Sequence, residues 1–362
     1  MKLPSLFEKF DPAIKWINDR TIYVTKHGSQ SYGTNIEGSD TDVKGICIPP
    51  KEYYLGFLKK FEQAELHDPD AVIFELTKFF KLAADSNPNC LEILFIDPSD
   101  ILYIDDLGQL ILDNRDLFLS KKVKYTMTGY AISQLKKIKL HKQYLLNPPK
   151  CCPTRMSMGL PEKTLIPQDQ LMAAQAEINK ELDKLQFDLN DLSESSKIEI
   201  KNNISNMLAG LKITADDQWM AAARTVGLSD NFIQNMQREG MYANLKRQWD
   251  QYQIWKKNRN PARAALEEKY MYDTKFGYHL VRLTRMCKEI LTTGKVLVKR
   301  PDREELIAIR NGLWSYDQLL EFVEEANKEL DIIYDTCNVL PNIPDRNKLD
   351  NLCVQLIEKS LS

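Results

Sequence analysis

The side chains able to do chemistry are concentrated between His27 and Gly45, in HGSQSYGTNIEGSDTDVKG. Gly28-Ser29 is followed, after ten residues, by Asp40-Thr41-Asp42. Asp40 and Asp42 are two apart, so on an extended strand both carboxylates project from one face. Carboxylates placed in this way share hard cations such as Mg²⁺, which takes oxygen ligands and commonly sits between carboxylates and substrate phosphates. Gly28 lets the backbone approach a phosphate closely. Ser29 adds a hydroxyl and an amide N–H at a helix start, where orphan donors favour anions. Alone, a Gly-Ser pair or an Asp-x-Asp is as much at home in a solvated surface hairpin. Together, and framed by apolar runs, they point to phosphate chemistry.

The framing elements are legible too. Thr21-Ile22-Tyr23-Val24 reads as the strand leading into the Gly-Ser turn, and Val43, Ile46 and Ile48 continue the carboxylate strand to Pro49-Pro50, which cannot donate to a sheet ladder. Upstream, Leu6, Phe7, Phe10, Ile14 and Ile17 have the spacing of a short helix within residues 1–20. Residues 51–66 are ambiguous, with Phe61 to Leu66 able to form a further strand. Asp70 to Phe74 is a short apolar run opening with a carboxylate, and a helix follows through Leu76, Phe79, Phe80, Leu82 and Ala83 that stops at Asn87-Pro88. Leu91 to Ile96 suits a strand or a buried helical turn equally. This alternation predicts an α+β fold, a small mixed sheet with helices on one side, followed from about residue 97 by a mostly helical region.

In that region Lys121 to Lys150 holds eight lysines and no carboxylate, interleaved with Tyr125, Tyr130 and Tyr144. Lysines neutralise phosphates and rings stack on bases, so Lys136, Lys137, Lys139 and Lys142 are candidates to hold RNA. A solvated helix face with core-facing tyrosines is the competing reading. Five prolines in 147–170 mark an extended connection. Residues 171–206 are helical in pattern and polar, and Asp230 to Lys257 predicts a helix ended by Asn260-Pro261. Phe276 to Thr293 is a helix capped by Gly294. Asp302 with Glu305, and Ser315 with Gln318, read as capping boxes, and a last helix starts near Asp345. The expected division is 1–120, a catalytic domain; 121–170, basic helix and connection; and 171–362, a helical bundle.

The Gly-Ser…Asp-x-Asp stretch resembles the DNA polymerase β superfamily of nucleotidyltransferases, and more narrowly its branch associated with RNA repair and phages. Asp70-Ala-Val-Ile-Phe-Glu-Leu-Thr-Lys-Phe-Phe, Asn87-Pro-Asn-Cys-Leu-Glu-Ile-Leu-Phe, Gln134-Leu-Lys-Lys-Ile-Lys-Leu-His-Lys, Leu145-Leu-Asn-Pro-Pro and Ile309-Arg-Asn-Gly-Leu-Trp-Ser-Tyr resemble its further blocks. The resemblance implies a polymerase-β-like domain that moves a nucleoside monophosphate from a nucleoside triphosphate to a hydroxyl. Asp40 and Asp42 would ligate two Mg²⁺ ions, with Mn²⁺ as a substitute, and Gly28 and Ser29 would contact the β- and γ-phosphates. It also implies a third metal-binding carboxylate, for which Asp70 fits the block. Glu65 stands in reserve should Asp70 merely cap the following helix, and Glu75 ranks behind both. Lys78, on that helix, would touch the triphosphate. His27 could orient a phosphate or simply pack, and His279 reads as structural. Arg282, Arg285 and Arg310 either line a groove in the bundle or are ordinary helix charges. An RNA or tRNA end is the expected acceptor. The alternatives are a protein or small-molecule hydroxyl, or a non-catalytic scaffold binding nucleotide or RNA.

Composition limits the classes. The 362 residues are 43% hydrophobic and 28% charged, as in globular proteins, with a net charge of −2. A nucleic-acid partner must then be gripped by a local patch. No apolar run approaches the roughly 20 residues of a membrane span, and the N-terminus lacks a signal-peptide pattern. Seven scattered cysteines without a Cys-x-x-Cys pair suggest reduced thiols and a cytoplasmic setting.

Overall fold

The computed structural model describes residues 3–164 and 227–362, with isolated residues between them. The expected helical stretch 171–206 falls almost entirely outside the described residues. Two compact units form: Met1–Leu146 together with Asn260–Ser362, and Asn147–Arg259. These units follow contacts rather than chain order, so they cut across the linear division at 120 and 170. The last hundred or so residues join the N-terminal sheet domain instead of forming a separate bundle with 171–259.

A five-stranded mixed sheet organises the first unit: β1 Thr21–His27, β2 Asp42–Cys47, β3 Gln63–His67, β4 Asp70–Glu75 and β5 Ile101–Ile104, in the order β3-β4-β2-β1-β5. β2 and β4 are parallel and the other pairs antiparallel. Side chains alternate between faces. Val24, Val43, Ala71 and Ile73 pack on one face against Phe7, Phe10 and Ile17. Tyr23, Ile46 and Phe74 enter the larger core on the other face.

The N-terminal 20 residues differ from the expected helix. Pro12 lacks an amide donor, and the segment forms two 3₁₀ turns, Ser5–Lys9 and Pro12–Ile14, before a single helical turn, α1, Ile17–Arg20. After β1 comes the one-turn α2, Ser29–Tyr32, and after β2 the one-turn α3, Glu52–Leu55. α4, Leu76–Ala84, and α5, Pro88–Leu94, cover the inner face; Asn87 caps α5, so Leu91 to Leu94 is helix rather than strand. The change to helix at 97 is later than expected, because Ile101–Ile104 pairs with β1 as an edge strand before α6, Asp106–Asp113. α7, Val123–Leu146, is the lysine-rich helix.

In the second unit, α8 spans Asp230–Asn258. The chain rejoins the first unit with α9, Pro261–Tyr270, α10, Thr274–Thr293, α11, Arg303–Arg310, α12, Tyr316–Thr336, and α13, Arg346–Leu361. Gly294 takes the left-handed conformation after α10, and Ser315 with Gln318 forms a complete capping box. Asp302 does not cap α11 with its side chain. Its carboxylate and that of Glu305 instead hold Arg285, at 2.8 and 2.7 Å, so ion pairing wins over the cap. No described helix is long and apolar enough to cross a membrane.

Glu75, rather than Asp70, begins α4. Its carboxylate accepts the amides of Thr77 and Lys78, both at 2.8 Å, and the Tyr54 hydroxyl at 2.8 Å. Glu75→Ala is therefore expected to lower stability by about 1–2 kcal/mol, read as an earlier thermal or urea midpoint, while Asp70→Ala causes no such loss.

Candidate active site

β2 and β4 bring the carboxylates together. Their parallel register sets Val43 beside Ala71, so Asp42 and Asp70, each one residue earlier, share the same end of the sheet. On the other side of β2, Asp42 lies opposite His27, the last residue of β1. Gly28 follows with φ 69°, a conformation that glycine adopts without strain. A Cβ at Gly28 would collide with the Asp42 carboxylate. The turn thus delivers Ser29, the first residue of α2, directly beside the carboxylates.

These residues line a cavity of about 770 Å³. Burial and then the Asp70 charge raise the Asp42 carboxyl above its ordinary value, with a contribution from Asp40, while Lys44 and Lys275 pull it down. Asp40 lies in the exposed coil before β2. None of Asp40, Asp42 and Asp70 has an ion-pair partner among the described residues. Three unpaired carboxylates with oxygen donors suit a hard divalent ion. They stand wider apart than His141, Glu267 and Asp273, the set among the described residues whose ligand atoms lie within 4.8 Å of one another. In that set Asp273 is engaged by Arg263 at 2.6 Å and caps α10.

Of the other expected residues, Glu65 is exposed on edge strand β3, opposite Val72 and hydrogen-bonded to Gln63. Lys78 lies past the far end of β4, does not line the cavity, and pairs with Glu62 at 2.7 Å. Arg282 and Arg310 line the cavity and Arg285 does not. On α7, Lys136, Lys137 and Lys139 are exposed, outside the cavity. Lys142 sits over the Tyr316 ring at 3.5 Å and Lys137 over Phe276 at 5.2 Å. Tyr130 lines the cavity, whereas Tyr144 is buried.

Sequence reasoning assigned no role to Glu92, Lys44 or Lys275. Glu92 is 1% exposed, and three groups meet at its carboxylate: Arg282 at 2.5 Å, the Tyr32 hydroxyl at 2.5 Å and His27 Nε2 at 3.2 Å. Burial pushes its pKa up, but Arg282, His27 and Tyr32 outweigh this and hold it well below the carboxylate range. Burial and Lys44 lower the pKa of His27, so it is neutral near pH 7. The signal for Glu92 was a lone carboxylate inside an apolar run. Lys44, two residues beyond Asp42, shares its face by strand periodicity. Nothing in the local sequence signals Lys275.

Three bonds tie the Gly-Ser turn to the helical wall. Arg300 N–H donates to the Tyr32 carbonyl at 3.0 Å, Thr34 and Tyr278 share a hydroxyl bond at 2.7 Å, and Arg310 reaches the Thr34 carbonyl at 3.4 Å. Because Arg282 is 4% exposed, Glu92→Ala strands its charge. The expected cost is about 3–5 kcal/mol, measured by denaturant unfolding, and the double change Glu92→Leu/Arg282→Met should recover much of it.

Residues 5–146 match the family model described as RNA repair pathway DNA polymerase beta family. An uncharacterized 38.9 kDa protein of Enterobacteria phage T4, from the nrdC-mobD intergenic region, is 31% identical over 130 residues, 33% of this chain and 38% of that protein. The uncharacterized protein YcgL of Bacillus subtilis is 35% identical over 89 residues, 24% of this chain and 33% of YcgL. The similarity thus spans little more than a third of either relative. No solved structure matches. The matched segment, residues 5–146, is the part of the chain that carries the Gly-Ser turn and all three aspartates, and it is similar to the RNA repair pathway DNA polymerase beta family.

Proposed function

We propose that this cavity transfers a nucleoside monophosphate from a nucleoside triphosphate to a hydroxyl at an RNA or tRNA end. The observation that carries the reading is Asp42 beside Asp70 on parallel strands, in the field of Asp40 and against the Gly28-Ser29 turn. Support for RNA comes from the description of the matched family and from the exposed Lys136, Lys137 and Lys139.

Asp40, Asp42 and Asp70 would hold two divalent ions, Mg²⁺ or Mn²⁺, which when bound neutralise charge developing on the phosphate oxygens. Gly28 and Ser29 offer backbone N–H groups and a hydroxyl to the β- and γ-phosphates. Asp70, exposed at the start of β4, has room to take the proton of the acceptor hydroxyl as its oxygen attacks the α-phosphorus. The bond from that phosphorus to the bridging oxygen breaks, and pyrophosphate leaves. Lys78 has no part in this scheme, since its ammonium is held by Glu62.

Incubation with each labelled nucleoside triphosphate, Mg²⁺ or Mn²⁺, and a pool of tRNA and short RNA tests the reading. Label is expected on RNA, and Asp42→Asn or Asp70→Asn should cut transfer by about a hundredfold or more. Label appearing only on protein would replace the acceptor. No transfer from any triphosphate, with binding intact, would leave a scaffold.

A second outcome follows from the raised Asp42 pKa. A group whose folded pKa exceeds its unfolded one costs native stability once pH rises through the folded value. Without added metal at neutral pH, Asp42→Asn should therefore raise the melting temperature while abolishing transfer. Divalent ions should raise it in the wild type more than in the variant.

A further inference from the structure

The cavity-lining cations divide into two kinds. Arg282 is matched by Glu92 and Arg263 by Asp273. Lys44, Lys275 and Arg310 have no carboxylate partner within ion-pair distance among the described residues. Lys44 enters the cavity from the sheet, on β2 two residues beyond Asp42. Lys275 and Arg310 belong to the opposite wall, at the start of α10 and the end of α11.

Lys275 lies in the field of both Asp42 and Arg310. Arg263 and Arg310 repel Lys275 while Asp42 and Asp273 attract it, and no ion pair among the described residues holds Lys275 or Arg310 in place. Their position is fixed by packing around them. Asp273 caps α10 by accepting the Lys275 and Phe276 amides. Arg310 leans on the Thr34 carbonyl, just past the Gly-Ser turn. Gly312, with φ 94° and the Tyr270 ring against it, ends the α11 segment that carries Arg310. A planar guanidinium and an ammonium on one wall form a fitting receptor for a multiply charged phosphate anion.

We propose that Lys275 and Arg310 form a phosphate-binding subsite that completes the cavity from the helical side and receives the polyphosphate tail of the nucleoside triphosphate. The inference rests on the nucleotidyl-transfer reading of the same cavity. It adds that residues outside the family match, from Asn260 onward, bind substrate. The sheet supplies carboxylates for the metal and the helical wall supplies cations for the phosphates, so the 5–146 segment holds only half of the site. The same phosphate chemistry could come from the backbone of the RNA acceptor, and two probes separate these sources.

The test measures binding of inorganic tripolyphosphate and of a short 5′-phosphorylated RNA, each with Mg²⁺, by calorimetry on the full chain. Wild type is compared with Lys275→Ala, Arg310→Ala and the conservative Lys275→Arg. Each alanine variant is expected to bind tripolyphosphate about tenfold or more weakly, as for a lost charge-assisted hydrogen bond, with RNA binding unchanged. Lys275→Arg should restore most of the affinity. A loss confined to RNA would keep the phosphate subsite and assign it to the acceptor. Unchanged affinity for both probes, in variants that melt like wild type, would overturn the proposal. Because the readout is binding of an anion with no nucleotide to transfer, it is independent of catalysis. Tripolyphosphate held through Lys275 and Arg310 by a protein that transfers nothing would sink the transfer reading and leave the subsite standing.

Discussion

The site depends on one buried ion pair. Glu92 on α5 and Arg282 on α10 lie 190 residues apart in sequence and 2.5 Å apart in space, with side chains 1% and 5% exposed. Arg282 also lies over the Tyr32 ring at 3.8 Å, and His27 and the Tyr32 hydroxyl close the remaining sides of the carboxylate. Such a pair contributes little net stability, because desolvating two charges offsets their attraction. Its effect is on geometry: leaving either charge unpaired is costly, so α10 can dock on the sheet in few ways. His27 and Tyr32 bracket Gly28-Ser29. The pair therefore fixes the turn, the carboxylates beside it and the helical wall in one frame.

That frame tolerates charges that folding alone would not collect. Asp40, Asp42 and Asp70 repel one another at one end of the sheet, and Lys275 and Arg310 do the same across the cavity. Under the proposed reaction, a ligand carrying the opposite charges would offset both repulsions. The divalent ion and polyphosphate of the proposed reaction would supply those charges together. The strain at the site is electrostatic, and the apolar core under the sheet holds it in place.

Much of the local structure was legible. The Gly-Ser turn, the strand leading into it, the strand at 63–67 and the Ser315-Gln318 capping box follow from short-range rules, because turn chemistry, strand alternation and capping act over a few residues. Asp40, expected on the strand with Asp42, lies instead in the coil before β2. The departures have physical causes. Pro12 broke the N-terminal helix, and Ile101–Ile104 became a strand because β1 offered a free edge. Asp302 left its capping role because Arg285 and Arg300 sit within reach. Lys78 read as a phosphate ligand from its place on the helix after Asp70, but β4 carries it to the far end of the sheet, where Glu62 holds it.

By itself the sequence singled out Gly28, Ser29, Asp40 and Asp42 as candidates for the chemistry, since their types and spacing are a local property of strand and turn. It also fixed the α+β character, which hydrophobic periodicity encodes. Only the tertiary structure set Asp70 beside Asp42, through a parallel register that no pattern within either strand reveals. It likewise brought Arg282, Lys275 and Arg310 to a cavity shared with the three aspartates, more than 200 residues back along the chain. The reason is that a lysine or arginine on a helix carries no mark of what it will face. Whether it is solvated, paired or aimed at a ligand is decided by packing of the apolar faces beside it, a property of the whole fold.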